Sequence, residues 1–243
     1  MATAKPGAGT LAIDVLADAS AVAHAAAEHI AAAARTAATA RGRFVLAVSG
    51  GRTPWAMLRA LASLDVPWPA LQIVQVDERV APAGDPDRNL THLTESLLAL
   101  VPLHADQVHP MPVEAADLAA AARQYAQTLR RVGGTPAVLD LVHLGLGPDG
   151  HTASLVPGDP VLAVTTADVA LAGPYQGRQR MTLTYPILDR ARQVLWVVTG
   201  DDKAAMLRRL VAGDTSIPAG RVRASAARML VDRAAAGALA LRP

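Results

Sequence analysis

The sequence predicts an α/β protein, Rossmann-like, with a mostly parallel sheet and helices on both faces, forming one domain over residues 1–243. Three observations predict it. Short apolar runs of strand length alternate with longer helical stretches, the order expected when crossover helices join parallel strands. The runs are apolar on both sides, as in strands covered on both faces. Several of them open abruptly into loops rich in Gly, Pro, Asp and Arg, and an open parallel sheet binds its ligands beyond the carboxyl ends of its strands. With 243 residues, 51% of them hydrophobic, the chain is long enough for one large core. Aromatic residues make up only 3%, so packing must rely on Ala, Val and Leu.

The elements follow in order. An Ala-rich helix over 19–40 is a scaffold, with His24 and His29 read as surface residues. A strand over 44–48 meets Ser49, Gly50, Gly51, Arg52 and Thr53 before a helix over 54–64, with Pro54 suited to the first turn. Adjacent glycines can turn backbone N–H groups toward a ligand, and the helix N-terminus adds partial positive charge, so this junction outlines an anion cradle. Glycines that serve only a sharp turn are the other reading. The Walker A spacing is absent. A strand over 71–76 runs into Asp77, Glu78 and Arg79, charges that are unfavourable after a core strand unless exposed or paired. After a Pro, Gly and Asp segment, Arg88 and Asn89 precede a helix over 90–100, for which Asn89 suits the cap. A helix over 115–131, a strand over 138–144, a strand around 167–171, an extended stretch over 181–185, a strand over 193–198 and a helix over 202–212 complete the order. Lys203 stands at the start of that last helix, where a cation opposes the dipole and a bound anion would relieve the mismatch.

The loop after the strand over 138–144 reads LGLGPDGHTASL over 144–155. Gly145, Gly147 and Gly150 fit the G-x-G-x-x-G dinucleotide spacing, and Asp168 lies near the position of the ribose-binding acid. Against that reading, Pro148 has no N–H to offer a phosphate, and Asp149 and His151 crowd the cradle. A glycine-rich turn with a surface histidine is the plainer reading. The third is a catalytic loop in which a strand end delivers His151 to a site.

Other classes are less compatible. The 23 basic and 21 acidic residues leave a net charge of +2, too little to argue for nucleic acid, and no basic stripe interleaved with aromatics occurs. There are no cysteines, and the seven histidines show no H-x-x-x-H spacing, so a metal site is not expected. No apolar stretch reaches the ~20 residues that span a bilayer, and the first ten residues lack the apolar core of a secretion signal, so no membrane association and a cytoplasmic setting are expected. No repeat is evident.

Taken together, SGGRTP, DER followed by RN, GLGPDGHTASLVPG, RMTLTYPIL and VTGDDKAAM resemble the 6-phosphogluconolactonases of the pentose phosphate pathway, over nearly the whole chain. Glucosamine-6-phosphate deaminases, in the same sugar-phosphate isomerase/deaminase superfamily, share the SGG and DGH loops but continue with a glutamate soon after the histidine. Here Thr152, Ala153 and Ser154 follow instead. The resemblance implies a sugar-phosphate lactone as substrate; no cofactor and a monomer are expected. It assigns His151 as the base acting on water, with Asp149 either orienting it or capping the turn. It further implies substrate binding by Ser49, Gly50, Gly51, Arg52, Thr53, Asp77, Arg79, Arg88, Asn89, Gly147, Arg180 and Lys203. The family pattern has Ser where Arg52 and Arg88 stand.

Overall fold

The computed structural model describes residues 10–237 and Leu239, so the segment read above as lacking a secretion signal lies almost wholly outside the described residues. The chain runs β1 (Thr10–Leu16), α1 (Ala19–Arg41), β2 (Phe44–Val48), α2 (Arg52–Leu61), β3 (Leu71–Gln75), β4 (Asp77–Arg79), α3 (Asn89–Ser96), β5 (Val108–His109) and α4 (Leu118–Gly133). It continues β6 (Leu141–Leu144), β7 (Val169–Tyr175), β8 (Arg178–Leu183), α5 (Tyr185–Asp189), β9 (Val194–Val198), α6 (Ala204–Val211), β10 (Ala226–Asp232) and α7 (Arg233–Ala236). Seven strands form a sheet in the order β1-β10-β9-β6-β2-β3-β5, parallel throughout, and β4-β8-β7 form a small antiparallel sheet.

Local chemistry explains the boundaries. Asp18 accepts from Ala21 N–H at 2.9 Å to start α1, and Gly42, at φ 71°, ends it in the left-handed region. The alanines of α1, with Val22 and Ile30, pack on one face of the main sheet together with α2 residues Met57, Leu58 and Leu61. On the other face, Val74, Val142 and Leu144 share a core with Tyr125 and Leu129 of α4 and with Val169, Met181 and Leu183 of the small sheet. The small sheet is thus packed into the main core.

Several expected boundaries move. The strand expected over 138–144 begins at Leu141, because the Asp140 carboxylate takes the Val45 N–H at 2.8 Å in place of a strand carbonyl. The helix expected from 115 starts after Asp117, whose side chain caps it at Ala120 N–H. Those expected over 90–100 and 202–212 lose ends to 3-10 turns at Leu98–Leu100 and Asp201–Lys203. Val76 is a pivot: its N–H bonds Val48 O at 2.9 Å in the main sheet, while its carbonyl accepts from Leu183 N–H at 2.8 Å and turns the chain into the small sheet. The stretches around 167–171 and 181–185 prove to be two arms of one hairpin, β7 and β8. The sequence reading did not anticipate β1, β4, β5 or β10.

The strand order reverses direction between β2 and β6, since the chain moves from β2 outward through β3 and β5, then returns to β6 and moves the other way. A crevice opens beyond the carboxyl ends of the strands at such a switch point.

Candidate active site

The loops leaving β2 and β6 meet in that crevice. They line a cleft of about 310 Å³, with β4 and the β7–β8 hairpin closing one side. Ser49 ties the two loops together. Its N–H donates to Nδ1 of His143 on β6 at 3.2 Å, and its hydroxyl donates to the His143 carbonyl at 2.9 Å. Burial holds the His143 imidazole down at about 4, so the ring is neutral, and the proton left on Nε2 has no partner. Gly50 approaches Asn89 so closely that a Cβ there would overlap the Asn89 amide. Gly51 caps α2 without a side chain, which leaves first-turn N–H groups of that helix for a ligand.

The β6 loop presents His151. Asp149 Oδ1 accepts from the His151 backbone N–H at 3.1 Å and from Nδ1 of its ring at 2.6 Å, so one carboxylate both builds the turn and orients the imidazole. Partial burial works against the Asp149 charge, but the His151 N–H and ring outweigh it and hold the carboxyl below its ordinary value. With Nδ1 engaged, Nε2 is the ring atom left to accept a proton. A Cβ on Gly147 would overlap the His151 ring and crowd Asp149, so only glycine at that position leaves room for the pair. Gly147 therefore makes space for a histidine and a carboxylate, which matches the catalytic-loop reading better than the dinucleotide one.

The opposite wall is cationic. Arg79 and Arg180 are partners across the β4–β8 ladder, and Nε of each is buried with no hydrogen-bond partner. Like charges opposed on adjacent strands are unfavourable by themselves. Burial, with Arg79 adding to it, lowers the Arg180 guanidinium, and Asp77 opposes the shift from 3.9 Å. Asp77 also accepts from Ser154 Oγ at 2.6 Å and from the Asn89 amide at 3.3 Å. Lys203 lines the cleft and pairs with Asp202 at 2.8 Å.

Of the residues expected in the site, the cleft gathers Ser49, Gly50, Gly51, Asp77, Arg79, Asn89, Gly147, His151, Arg180 and Lys203, with Asp149 directly behind His151. Three do not line it. Arg88 is buried away from the cleft, 3.5 Å from Glu78 and 3.4 Å from Glu114, and its Nη1 donates to Ala81 O. Its neighbour Asn89 opens α3 and lines the cleft. Arg52 is exposed on the first turn of α2. Thr53 shares a 2.8 Å hydrogen bond with the Thr199 hydroxyl, tying α2 to the loop after β9. Sequence reasoning missed Tyr175 and Gln176 at the hairpin tip, and Ser154 on Asp77. Among the described residues, no three His, Asp or Glu side chains converge as a metal site would require, and no helix is long and apolar enough to cross a membrane.

A parallel sheet whose switch point gathers a His–Asp pair and two arginines, each with an unpartnered Nε, is an α/β fold with a cleft suited to an anionic ligand. The chain belongs to the family of glucosamine-6-phosphate isomerases/6-phosphogluconolactonase, whose pattern it matches over residues 17–231. It is 37% identical over 177 residues to the 6-phosphogluconolactonase of Synechocystis, covering 71% of this chain and 73% of that one. It is 34% identical over 241 residues to the 6-phosphogluconolactonase of Mycobacterium tuberculosis, covering 93% and 98%. The structure of 6-phosphogluconolactonase from Trypanosoma cruzi superposes with a TM-score of 0.85 at 25% identity, covering 96% of this chain and 98% of that one.

Proposed function

We propose that this protein hydrolyses 6-phospho-D-glucono-1,5-lactone to 6-phospho-D-gluconate, the step that follows lactone formation in the oxidative pentose phosphate pathway. The observation that carries the reading is the pairing of a carboxylate-oriented histidine with a wall of buried, partnerless arginine nitrogens in one cleft. His151 Nε2 takes a proton from water as the water oxygen adds to the lactone carbonyl carbon. The tetrahedral intermediate collapses with cleavage of the bond to the ring oxygen, which receives the proton back from the imidazolium. Asp149 stabilises that imidazolium and fixes the ring. Arg79, Arg180 and Lys203 hold the phosphate, while Asp77 and Asn89 meet ring hydroxyls. The reaction needs only water and the side chains of this chain. The protein acts as a one-domain monomer in the cytoplasm.

A deaminase of the same family would use a glutamate after the histidine. Thr152, Ala153 and Ser154 supply none, and the named relatives are lactonases.

The test is acid release from freshly generated lactone, corrected for spontaneous hydrolysis. Turnover that stays at background with purified protein rejects the assignment. The anion wall is tested by calorimetric titration with 6-phosphogluconate. Arg79→Ala and Lys203→Ala are each expected to weaken binding about tenfold, the size of one charge-assisted contact. Unchanged affinity in both moves the phosphate elsewhere.

A further inference from the structure

The hairpin brings to the cleft a residue that no motif announced. Tyr175 is the last residue of β7, at an irregularity in its pairing with β8. Its hydroxyl lies 3.3 Å from Asp149 Oδ2, the carboxylate oxygen that His151 does not use. Its ring meets the His151 ring edge-on, with centroids 5.1 Å apart. On its face the Arg180 guanidinium sits 5.1 Å from the ring centre, and Arg180 Nη2 donates to the Tyr175 carbonyl at 3.2 Å. The hairpin itself is pinned, since Arg178 pairs with Asp85 at 3.1 Å and Asp87 at 2.9 Å.

We propose that Tyr175 is a positioning residue for the reaction: its hydroxyl holds Asp149 against His151, and its ring seats Arg180, so one side chain sets both the base and the anion wall. The inference rests on the lactonase reading. Asp149 then has three donors on two oxygens and cannot swing away from Nδ1 as the ring becomes charged. Burial, reinforced by the Asp149 charge, raises the phenol, which keeps it a donor. The separation of 3.3 Å is that of a weak bond, and hydrogen bonds of this kind commonly tighten when substrate closes a site. The charged and titratable groups around the His151 ring are Asp149 from its own loop, Tyr175 from β7, Arg180 from β8, Asp77 and Arg79 from β4, and Lys203 before α6.

The experiment compares Tyr175→Phe with Tyr175→Leu. Removing the hydroxyl alone leaves more negative charge on Asp149 facing the imidazole. The untethered carboxylate can also swing away from Nδ1, so Tyr175→Phe is expected to lower kcat about fivefold, the size of one hydrogen bond to a charged group, with KM nearly unchanged. The acid limb of the rate profile moves to higher pH, and in an Asp149→Asn background the same change has no effect. Tyr175→Leu adds a rise in KM as Arg180 loses its seat. The titration of His151 followed by NMR gives a second readout that does not depend on turnover: its midpoint moves up in Tyr175→Phe and not in the double variant. A Tyr175→Phe protein with wild-type kcat and an unmoved His151 titration overturns the proposal. An equal effect with and without Asp149 overturns it as well. If the wild-type protein fails to turn over lactone, the lactonase reading falls, while the titration still decides whether Tyr175 acts on the pair.

Discussion

His143 and His151 stand on one strand and on the loop that leaves it, yet their surroundings oppose each other. His143 is fully buried in β6, neutral, and spends Nδ1 on the Ser49 N–H. His151 sits in the cleft wall with its Nδ1 on a carboxylate and its other nitrogen free for chemistry. A backbone donor on Nδ1 fixes the proton on Nε2, whereas a carboxylate acceptor fixes it on Nδ1 and makes Nε2 basic. The partner of one ring nitrogen thus separates a strut from a proposed base.

The largest expected effect separates them directly. His151→Ala is expected to lower turnover ~10²–10⁴-fold while melting as the wild type does and still binding 6-phosphogluconate. Background-corrected assay, thermal melts and calorimetry check the three parts, and activity within a few-fold of wild type removes His151 from the mechanism. Next is Gly147→Ala, whose Cβ would displace the His151 ring. A shift of about 1 Å in a reacting group can reduce rate ~10²-fold, and product affinity is expected to hold. A fully active Gly147→Ala protein means that the ring position in the cleft is not the working one.

His143→Leu is expected to act on stability instead. It leaves the Ser49 N–H unpaired in a buried setting, a loss of about 1–3 kcal/mol, read from urea melts, with smaller losses in turnover per folded molecule. The smallest effect is in pH. Because burial holds the folded-state value for His143 at about 4, below the ~6.5 of an unfolded chain, the unfolded state takes the proton first as pH falls. Its contribution is whole above about 6.5 and is lost on the way down to about 4. Urea midpoints should therefore decline between pH 7 and pH 5 more steeply in the wild type than in His143→Leu. Equal slopes would show that His143 is not the group responsible.

The sequence made one histidine legible and hid the other for a physical reason. His151 follows an apolar run that breaks into Gly, Pro and Asp, and such a break marks a strand end. His143 lies inside the run, where its burial follows from a partner on the distant β2 loop. The strand ends that build the floor were readable because each apolar run stops abruptly at Ser49, Asp77 or Gly145. Arg52, Thr53 and Arg88 were drawn in with the motifs that carry the resemblance, but successive residues at a helix start point different ways, so neighbours of a lining residue turn outward or inward. Tyr175 comes from a hairpin of the second sheet with no flanking motif. β1 and β10 were missed because Asp14 and Arg228 interrupt their apolar runs. In the folded protein these two residues pair with each other at 2.8 Å.

The switch point between β2 and β6 also has a bearing on how the protein is made. The Ser49–His143 bond closes 94 residues of chain and the Ser154–Asp77 bond closes 77. Parallel pairing at such separations loses much chain entropy before any contact forms, and topologies of this kind assemble slowly. Helices α1 and α4 close on local bonds and can form early. On refolding from denaturant, ellipticity should recover first and lactone turnover last, with the lag set by the meeting of β2 and β6. A nascent chain released before residue 141 would carry the first helices and one side of the cleft, without the strand and loop that complete it.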